Sequence, residues 1–600
     1  MRKRKPQPPG AACVMRAVMA AAVRLEIDAW APQKVASIRV GPGEPRCEGL
    51  SVVHCFKRVD PDEPSLRKGT KVLAELPNMA PVTGTLVEVT GQEVAVAFDA
   101  EVPSDFRPGR LVEDSRWIQH VLHRSLLSDL SGSRDGLALG LLDLPLRIPA
   151  YRGGPVEAPA DLNPQQRAVV QQAVRGGVTW VSAGPGTGKT RTISGVAEVL
   201  LAQERRTLVV APSNQAADQA ALAVCSRVAG YPDFHNGLVV RLGNPCFPPF
   251  LERYGSSTDP FRIALRRLGG ADSDPLPAMV REEMDAVIRS ARVLVTTTAQ
   301  PLLVRAMSRQ QFDTVILDEA GMTSLPATYC VASLAGRTLL LVGDPLQLKT
   351  VHRSAHPVVR TFYGSSGLSV SGSPASIRAH QEAGVGPWLS LSTQYRMDPA
   401  IQGLVNDLTY DGRLTAADSV HDRPPLVGPA QGAPLILIDT ASLRPAKGGP
   451  RGFANPAHAE LAGKVVRWLR AGTRDPSHEI VVLARFREQV RAISREVPGE
   501  SEVAVRTVHR MQGGEADTVV LDLSAAPGSF LGDYLTDVDQ DSGGARLLNV
   551  ALSRARRRVV LLANVPLLFN HPGISEEAVS LRLLEHFIRE GIRVDPGQLC

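Results

Sequence analysis

The chain is poor in the groups that build several kinds of site. Its seven cysteines (Cys13, Cys47, Cys55, Cys225, Cys246, Cys330 and Cys600) are scattered over 600 residues, with no CxxC pair and no Cys/His cluster. That spacing excludes a zinc ribbon, an iron–sulfur site and a disulfide framework, and suits a reducing, intracellular setting. No apolar run reaches the roughly 18 residues of a membrane-spanning helix. No short-period repeat is present. Acids are missing from residues 1–25, where Arg2, Lys3, Arg4, Lys5, Arg16 and Arg24 equal the whole formal net charge of +6. The rest of the chain is therefore neutral overall, which still leaves room for a basic groove and a nucleic-acid partner. The basic N-terminus reads as a solvated arm, as a nuclear address, or, from MRAVMAAAVRL, as a mitochondrial presequence. The expected setting is intracellular, cytoplasmic or nuclear, with a mitochondrial one as the alternative.

What is present is a long series of short apolar runs. Apolar residues make up 44% of the chain, enough for real cores in a chain of about four domains. Residues 67–112 alternate in short runs broken by Gly and Asn, as in a small antiparallel barrel or sheet. From residue 162 the pattern changes to near-continuous apolar runs separated by helical stretches: VTWV, TLVVA, VLVTT, TVILD and TLLLVGD. Such runs suit parallel strands covered on both faces. A second set follows (PLILID, IVVLA, VAVRTV, DTVVLDL and RVVLLAN). The expected fold is α/β, with two tandem parallel-sheet domains and a small β-barrel accessory domain. The expected boundaries are a basic tail and unassigned region at 1–60, a barrel-like domain at 61–125 and a helical stalk and linker at 126–160. The first α/β domain follows at 161–384, with an insertion near 225–290, then the second at 385–570 and a C-terminal tail at 571–600.

Between the first strand and a helical stretch lies SAGPGTGKT (182–190). Its glycines, Gly186 and Gly188 among them, let successive N–H groups point at one phosphate, and the helix that follows adds its positive end. Lys189 is placed to reach the β- and γ-phosphates and Thr190 to bind Mg²⁺. The bland alternative is a glycine turn. LDEA (317–320) ends another apolar run. An acid there can hold Mg²⁺, the role of Asp318, and its neighbour Glu319 can orient or deprotonate water. In GDPLQL (343–348), Gln347 is placed to sense a γ-phosphate and position water. Arg396 in QYRMDP and Arg554 in ALSRAR lie in the second unit, which has no Gly-Lys-Thr loop of its own. Arginine suits the charge that develops in phosphoryl transfer, and these two fit as fingers completing the site across a cleft.

The order of the motifs carries a resemblance. LNPQQ (162–166), AGPGTGKT (183–190), APSNQAAD (211–218), LDEAG (317–321), GDPLQL (343–348), QYRMDP (394–399), TVHRMQGGEAD (507–517) and LNVALSRAR (548–556) follow one another. The series resembles superfamily 1B helicases of the Upf-type group, over roughly residues 67–565 by motif placement. The resemblance implies two RecA-like domains and an accessory barrel, with ATP and Mg²⁺ as cofactors. It implies that Gln166 reads the adenine edge, Tyr395 stacks on the base and Glu515 lies near the ribose. Pro212, Ser213, Asn214 and Thr297 would face a nucleic-acid backbone from the first sheet, and Thr507 from the second. Hydroxyls, an amide and backbone N–H groups suit phosphate and sugar contacts that position without reading sequence. Family members move 5′ to 3′ on single strands.

The chain departs from the family at Asp398, where histidine is usual, at His509, where an acid is usual, and at ARFREQ (484–489). It also carries an inserted DVDQDSGG, and Leu547 in place of an arginine. None of these removes a phosphate or metal group, but they bear on the coupling of hydrolysis to movement. The expected function is therefore an ATP-dependent helicase or translocase on single-stranded RNA or DNA. The alternative is an ATP-switched nucleic-acid-binding or RNP-remodelling scaffold with weak or no unwinding. A small-molecule enzyme finds no substrate pocket in the sequence.

Overall fold

The run Ile480–Ala484 is apolar at every position, a pattern that suits a strand covered on both faces. In the computed structural model it is a strand buried along its whole length. The structure describes residues 11–29, 37–48, 51–59, 66, 70–75, 82–90, 92–98, 102, 108–114, 116–128, 136–142, 156–269, 277–308, 310–371, 388–424, 426, 428–443, 454–472, 477–497, 503–511, 513–525, 532–540 and 542–599.

Six antiparallel strands form a closed barrel: β1 (Ser37–Glu48), β2 (Ser51–Arg58), β3 (Lys71–Glu75), β4 (Val82–Val89), β5 (Glu93–Phe98) and β6 (Arg110–Glu113), in the order β1-β2-β5-β4-β3-β6. Pairing of Ser37 with Val112 and of Ile38 with Leu111 closes it. Ile38, Phe56, Val72, Leu86, Val96 and Leu111 fill the interior.

The first parallel sheet contains β7 (Gly177–Ala183), β8 (Thr207–Ala211), β9 (Val239–Leu242), β10 (Val293–Thr297), β11 (Phe312–Leu317), β12 (Ala335–Gly343) and β13 (Trp388–Leu391). Its order is β13-β7-β12-β11-β8-β10-β9. A two-stranded piece, β14 (Thr393–Gln394) with β15 (Thr415–Ala416), leads into the second domain. The second sheet has β16 (Leu435–Asp439), β17 (Ile480–Ala484), β18 (Val503–Thr507), β19 (Ala516–Asp522), β20 (Ala555–Ala563) and β21 (Ile592–Val594), in the order β18-β17-β19-β20-β16-β21.

The expected boundaries shift in four places. The N-terminal segment is not all tail, because Ala11–Ala29 is a helix. Its Met19, Ala20, Val23 and Ile27 join the apolar core of the first domain together with Leu122, Leu126 and Tyr329. Even Arg16 is buried, with its guanidinium 5.8 Å from the Tyr329 ring centre. The basic run at 2–5 lies outside the described residues. The barrel begins at Ser37, not at 61. β13 belongs to the first sheet although it follows residue 385, because Trp388 stacks on Trp180 of β7 at 5.2 Å. Residues 571–600 are no tail either. β21 pairs with β16, and Leu583, Leu584 and Phe587 of the helix Val579–Glu590 enter the core of the second domain.

Candidate active site

The sheet order explains why distant motifs meet. β7, β12 and β11 are neighbours, so the loops at their carboxyl ends lie about 5 Å apart along the sheet. These loops carry Gly184–Thr190, Asp344–Leu348 and Asp318–Glu319. The phosphate loop turns through Gly186 at φ +72° and Gly188 at φ +80° into the helix Lys189–Ala202, which has no side-chain cap at its N-terminus. Those N–H groups are left for an anion. Lys189 Nζ donates to the Ala183 carbonyl at 3.4 Å and stands 3.8 Å from Glu319 Oε1. Burial, then the neighbouring Glu319 charge, pushes the Asp318 carboxyl up to about 7, with Lys189 opposing. Two adjacent carboxyls that Lys189 offsets only in part make a donor set that a divalent cation fits. Glu319 stands at φ +49°, a strained setting for a residue with a side chain.

The second domain closes the other side of a cavity of about 390 Å³. Tyr395, Arg396, Glu515 and Arg554 line it, facing Gly186, Gly188, Lys189, Thr190 and Glu319. Arg396 Nε donates to Glu515 Oε2 at 2.6 Å, and Arg556 Nε to Glu515 Oε1 at 3.1 Å. Burial pushes the Glu515 carboxyl up, but Arg396 and Arg556 outweigh it and hold it below the usual range. Arg554 is buried and donates to Gln347 Oε1 at 3.1 Å. Burial, then Arg396, lowers its pKa to about 10, which leaves it cationic at neutral pH. The Tyr395 hydroxyl accepts from Asn163 Nδ2 at 2.8 Å, and its backbone N–H donates to the Gly186 carbonyl at 2.8 Å.

Three expected site residues are absent from the cavity wall. Gln166 is 1% exposed and belongs to the capping box of the helix Pro164–Arg175. Its Oε1 accepts from Asn163 N–H and its Nε2 donates to the Thr187 carbonyl, both at 3.1 Å. Through these two bonds it braces the phosphate loop from behind, and its second N–H and second lone pair stay open to a base. Gln347 also lies one bond behind the wall, reaching the cavity through Arg554. Asp318 lies behind Glu319, to whose N–H it is bonded at 2.9 Å. Sequence reasoning missed Arg423, Arg556 and Gln219, which do line the cavity. Arg423 donates to the Tyr395 and Arg396 carbonyls and so fixes the finger's backbone. The RARRR run was a signal for Arg556, whereas nothing in HDRPP singles out Arg423. Asp398 has a local explanation. It caps the helix Pro399–Val405 by accepting from Ala400 N–H at 3.0 Å.

The residues expected to face a nucleic-acid backbone stand at carboxyl ends of strands. Pro212, Ser213 and Asn214 follow β8, and Thr297 pairs with Ala211 in the adjacent β10. Ser213 caps the helix Asn214–Val228, and Asn214 Oδ1 accepts from Arg241 at 3.0 Å. Arg241 is itself in a buried pair with Asp218 at 2.8 Å. This ties the RLGNP stretch (241–245) to APSNQAAD (211–218). In the second sheet Thr507 ends β18 beside a cavity of about 670 Å³ lined by Arg487, Arg491, Arg506 and Arg510. Among the described residues no helix is long and apolar enough to cross a membrane.

Two family models, each described as an AAA domain, match residues 165–353 and 377–566, one over each sheet. The same chain is 24% identical over 443 residues to "Regulator of nonsense transcripts 1 homolog" of Neurospora crassa, covering 68% of this chain and 38% of that one. The chain belongs to the superfamily 1 helicases of the Upf-type group. Other relatives in the group include "DNA-binding protein SMUBP-2" of Mesocricetus auratus, 25% identical over 583 residues, 85% of this chain and 54% of that protein. Another is "DNA replication ATP-dependent helicase/nuclease DNA2" of Bos taurus, 26% identical over 464 residues, 72% of this chain and 39% of that protein. This helicase-family chain thus spans about half or less of the length of these curated relatives.

Proposed function

We propose that this protein is an ATP-driven helicase or translocase on single-stranded RNA or DNA, moving 5′ to 3′. The observation that carries the reading is the one cavity with Lys189 and Glu319 on one wall and Arg396 and Arg554 on the other. Lys189 and the loop N–H groups hold the β- and γ-phosphates. Glu319 orients a water and takes its proton as the oxygen attacks the γ-phosphorus and the bond to the bridging oxygen breaks, releasing ADP and phosphate. Thr190 and Asp318 would hold Mg²⁺, which neutralises charge developing on the phosphate oxygens. Arg396 and Arg554 neutralise the same charge from the second domain, so turnover requires a closed cleft. Arg396 must then exchange Glu515 for phosphate, while Tyr395 supplies a face for the base. Strand contacts by Pro212, Ser213, Asn214 and Thr297 on one domain and Thr507 on the other move with each closure. Hydroxyl and backbone contacts of this kind predict little sequence preference.

A second reading is an ATP-switched scaffold with slow turnover. It is favoured by the engagement of both fingers with protein partners, Arg396 with Glu515 and Arg554 with Gln347. ATP hydrolysis with and without single-stranded RNA and DNA, with Lys189→Ala as control, separates the two. Strand-stimulated turnover that the mutant loses supports the motor, and the better activator identifies its track. ATP binding without stimulated turnover supports the scaffold.

A further inference from the structure

The loop that follows β12 is gripped from the second domain at three successive carbonyls. Arg546 donates to the Pro345 carbonyl and, at 2.7 Å, to the Gln347 carbonyl, and Asn549 Nδ2 donates to the Leu346 carbonyl at 3.0 Å. The Leu346 side chain sits in the apolar core of that domain. At the centre stands Tyr410, which no motif singled out. Its ring belongs to the same core, and a Cβ on Gly184 of the phosphate loop would lie 3.6 Å from its Cε1. Its hydroxyl accepts from Asn549 Nδ2 at 2.8 Å and donates to Asp344 Oδ2 at 2.5 Å.

The same carboxylate oxygen accepts from Gln347 Nε2 at 3.0 Å, while Asp344 Oδ1 accepts from Leu346 N–H at 2.9 Å. Gln347 Oε1 accepts from Arg554, whose guanidinium lines the cavity. The donor and acceptor chemistry leaves one arrangement. A carboxylate only accepts and a guanidinium only donates, so the Gln347 amide must turn its nitrogen to Asp344 and its oxygen to Arg554. The Tyr410 hydroxyl holds the carboxylate oxygen that enforces this choice, and it does so only while the second domain is docked.

We propose that Tyr410 is a positioning residue for ATP hydrolysis: through Asp344 and Gln347 it orients the Arg554 finger when the cleft closes. The proposal rests on the reading of the cleft as a site of ATP hydrolysis. Tyr410→Phe keeps the buried ring and removes only the hydroxyl. Its expected effect is a fall in kcat of about tenfold, the loss of one hydrogen bond to a charged group, with KM unchanged. The decisive readout is a double-mutant cycle with Gln347→Ala. Because Tyr410 acts through Gln347, Tyr410→Phe is expected to have little further effect in the Gln347→Ala background. An unchanged kcat, an effect on KM alone, or effects that multiply in the double mutant overturn the proposal while leaving the ATPase reading in place. A wild-type protein without ATPase activity overturns both. Should Tyr410→Phe fail to fold, Asp344→Asn keeps the side-chain shape and removes the acceptor-only oxygen. The same non-additivity with Gln347→Ala is then expected, and additivity refutes the proposal.

Discussion

Replacing Gly188 with alanine tests whether backbone shape, and not the lysine alone, makes the phosphate loop bind. Gly188 stands at φ +80°, and a Cβ there would lie 2.5 Å from Gln166 Nε2. A residue with a side chain in the left-handed region costs about 1–2 kcal/mol. Gln166 is buried with both ends of its amide bonded, so it yields only by giving up a bond. The one to the Thr187 carbonyl, 3.1 Å long, is worth about 1 kcal/mol. About 2–3 kcal/mol then opposes the binding shape, equivalent to a loss of about 30- to 140-fold in ATP affinity. Titration with a fluorescent ATP analogue measures this. Gly403→Ala is the control. It sits in the helix Pro399–Val405 with nothing within 4 Å of a Cβ, and affinity is expected to stay unchanged. Adding Gln166→Ala to Gly188→Ala removes the collision but not the backbone strain, so affinity recovers only in part. Wild-type affinity in Gly188→Ala refutes the reasoning.

Two further outcomes follow from the second domain. Arg487→Ala and Arg510→Ala, at the basic cavity beside Thr507, should each weaken single-strand binding about equally across sequences. Each should also reduce the slope of log K against log salt by about 0.7, and filter binding between low and high salt checks this. Asp522 is buried and bonded to His458 at 2.7 Å. Burial pushes its carboxyl up, but His458 and further donors outweigh that and hold it below the usual range. A depressed carboxyl contributes stability above its unfolded pKa of about 4 and loses it as pH falls through the folded value. The melting temperature should therefore drop more steeply from about pH 5 to about pH 3 in the wild type than in Asp522→Asn, and parallel curves would refute the assignment.

Much of the site was legible because its parts are local. An apolar run, a glycine turn and a helix are encoded by neighbours in sequence, so Lys189, Thr190, Glu319, Arg396 and Arg554 could be named from pattern and do share one cavity. Two sheets of buried parallel strands were legible for the same reason, since runs such as Ile480–Ala484 are apolar at every position. Residues whose role depends on a partner far along the chain were not. Gln166 stands out in LNPQQ, but its bond to the Thr187 carbonyl exists because the helix cap and the loop pack together. Trp388 looks like the start of the second domain until it stacks on Trp180. The sequence by itself determined the strand–loop–helix units and the chemistry at their ends. The tertiary structure decided which units are neighbours. Hydrogen bonds such as Tyr410 to Asp344 and Arg554 to Gln347 form only when two separately encoded domains meet, and no local spacing carries that information.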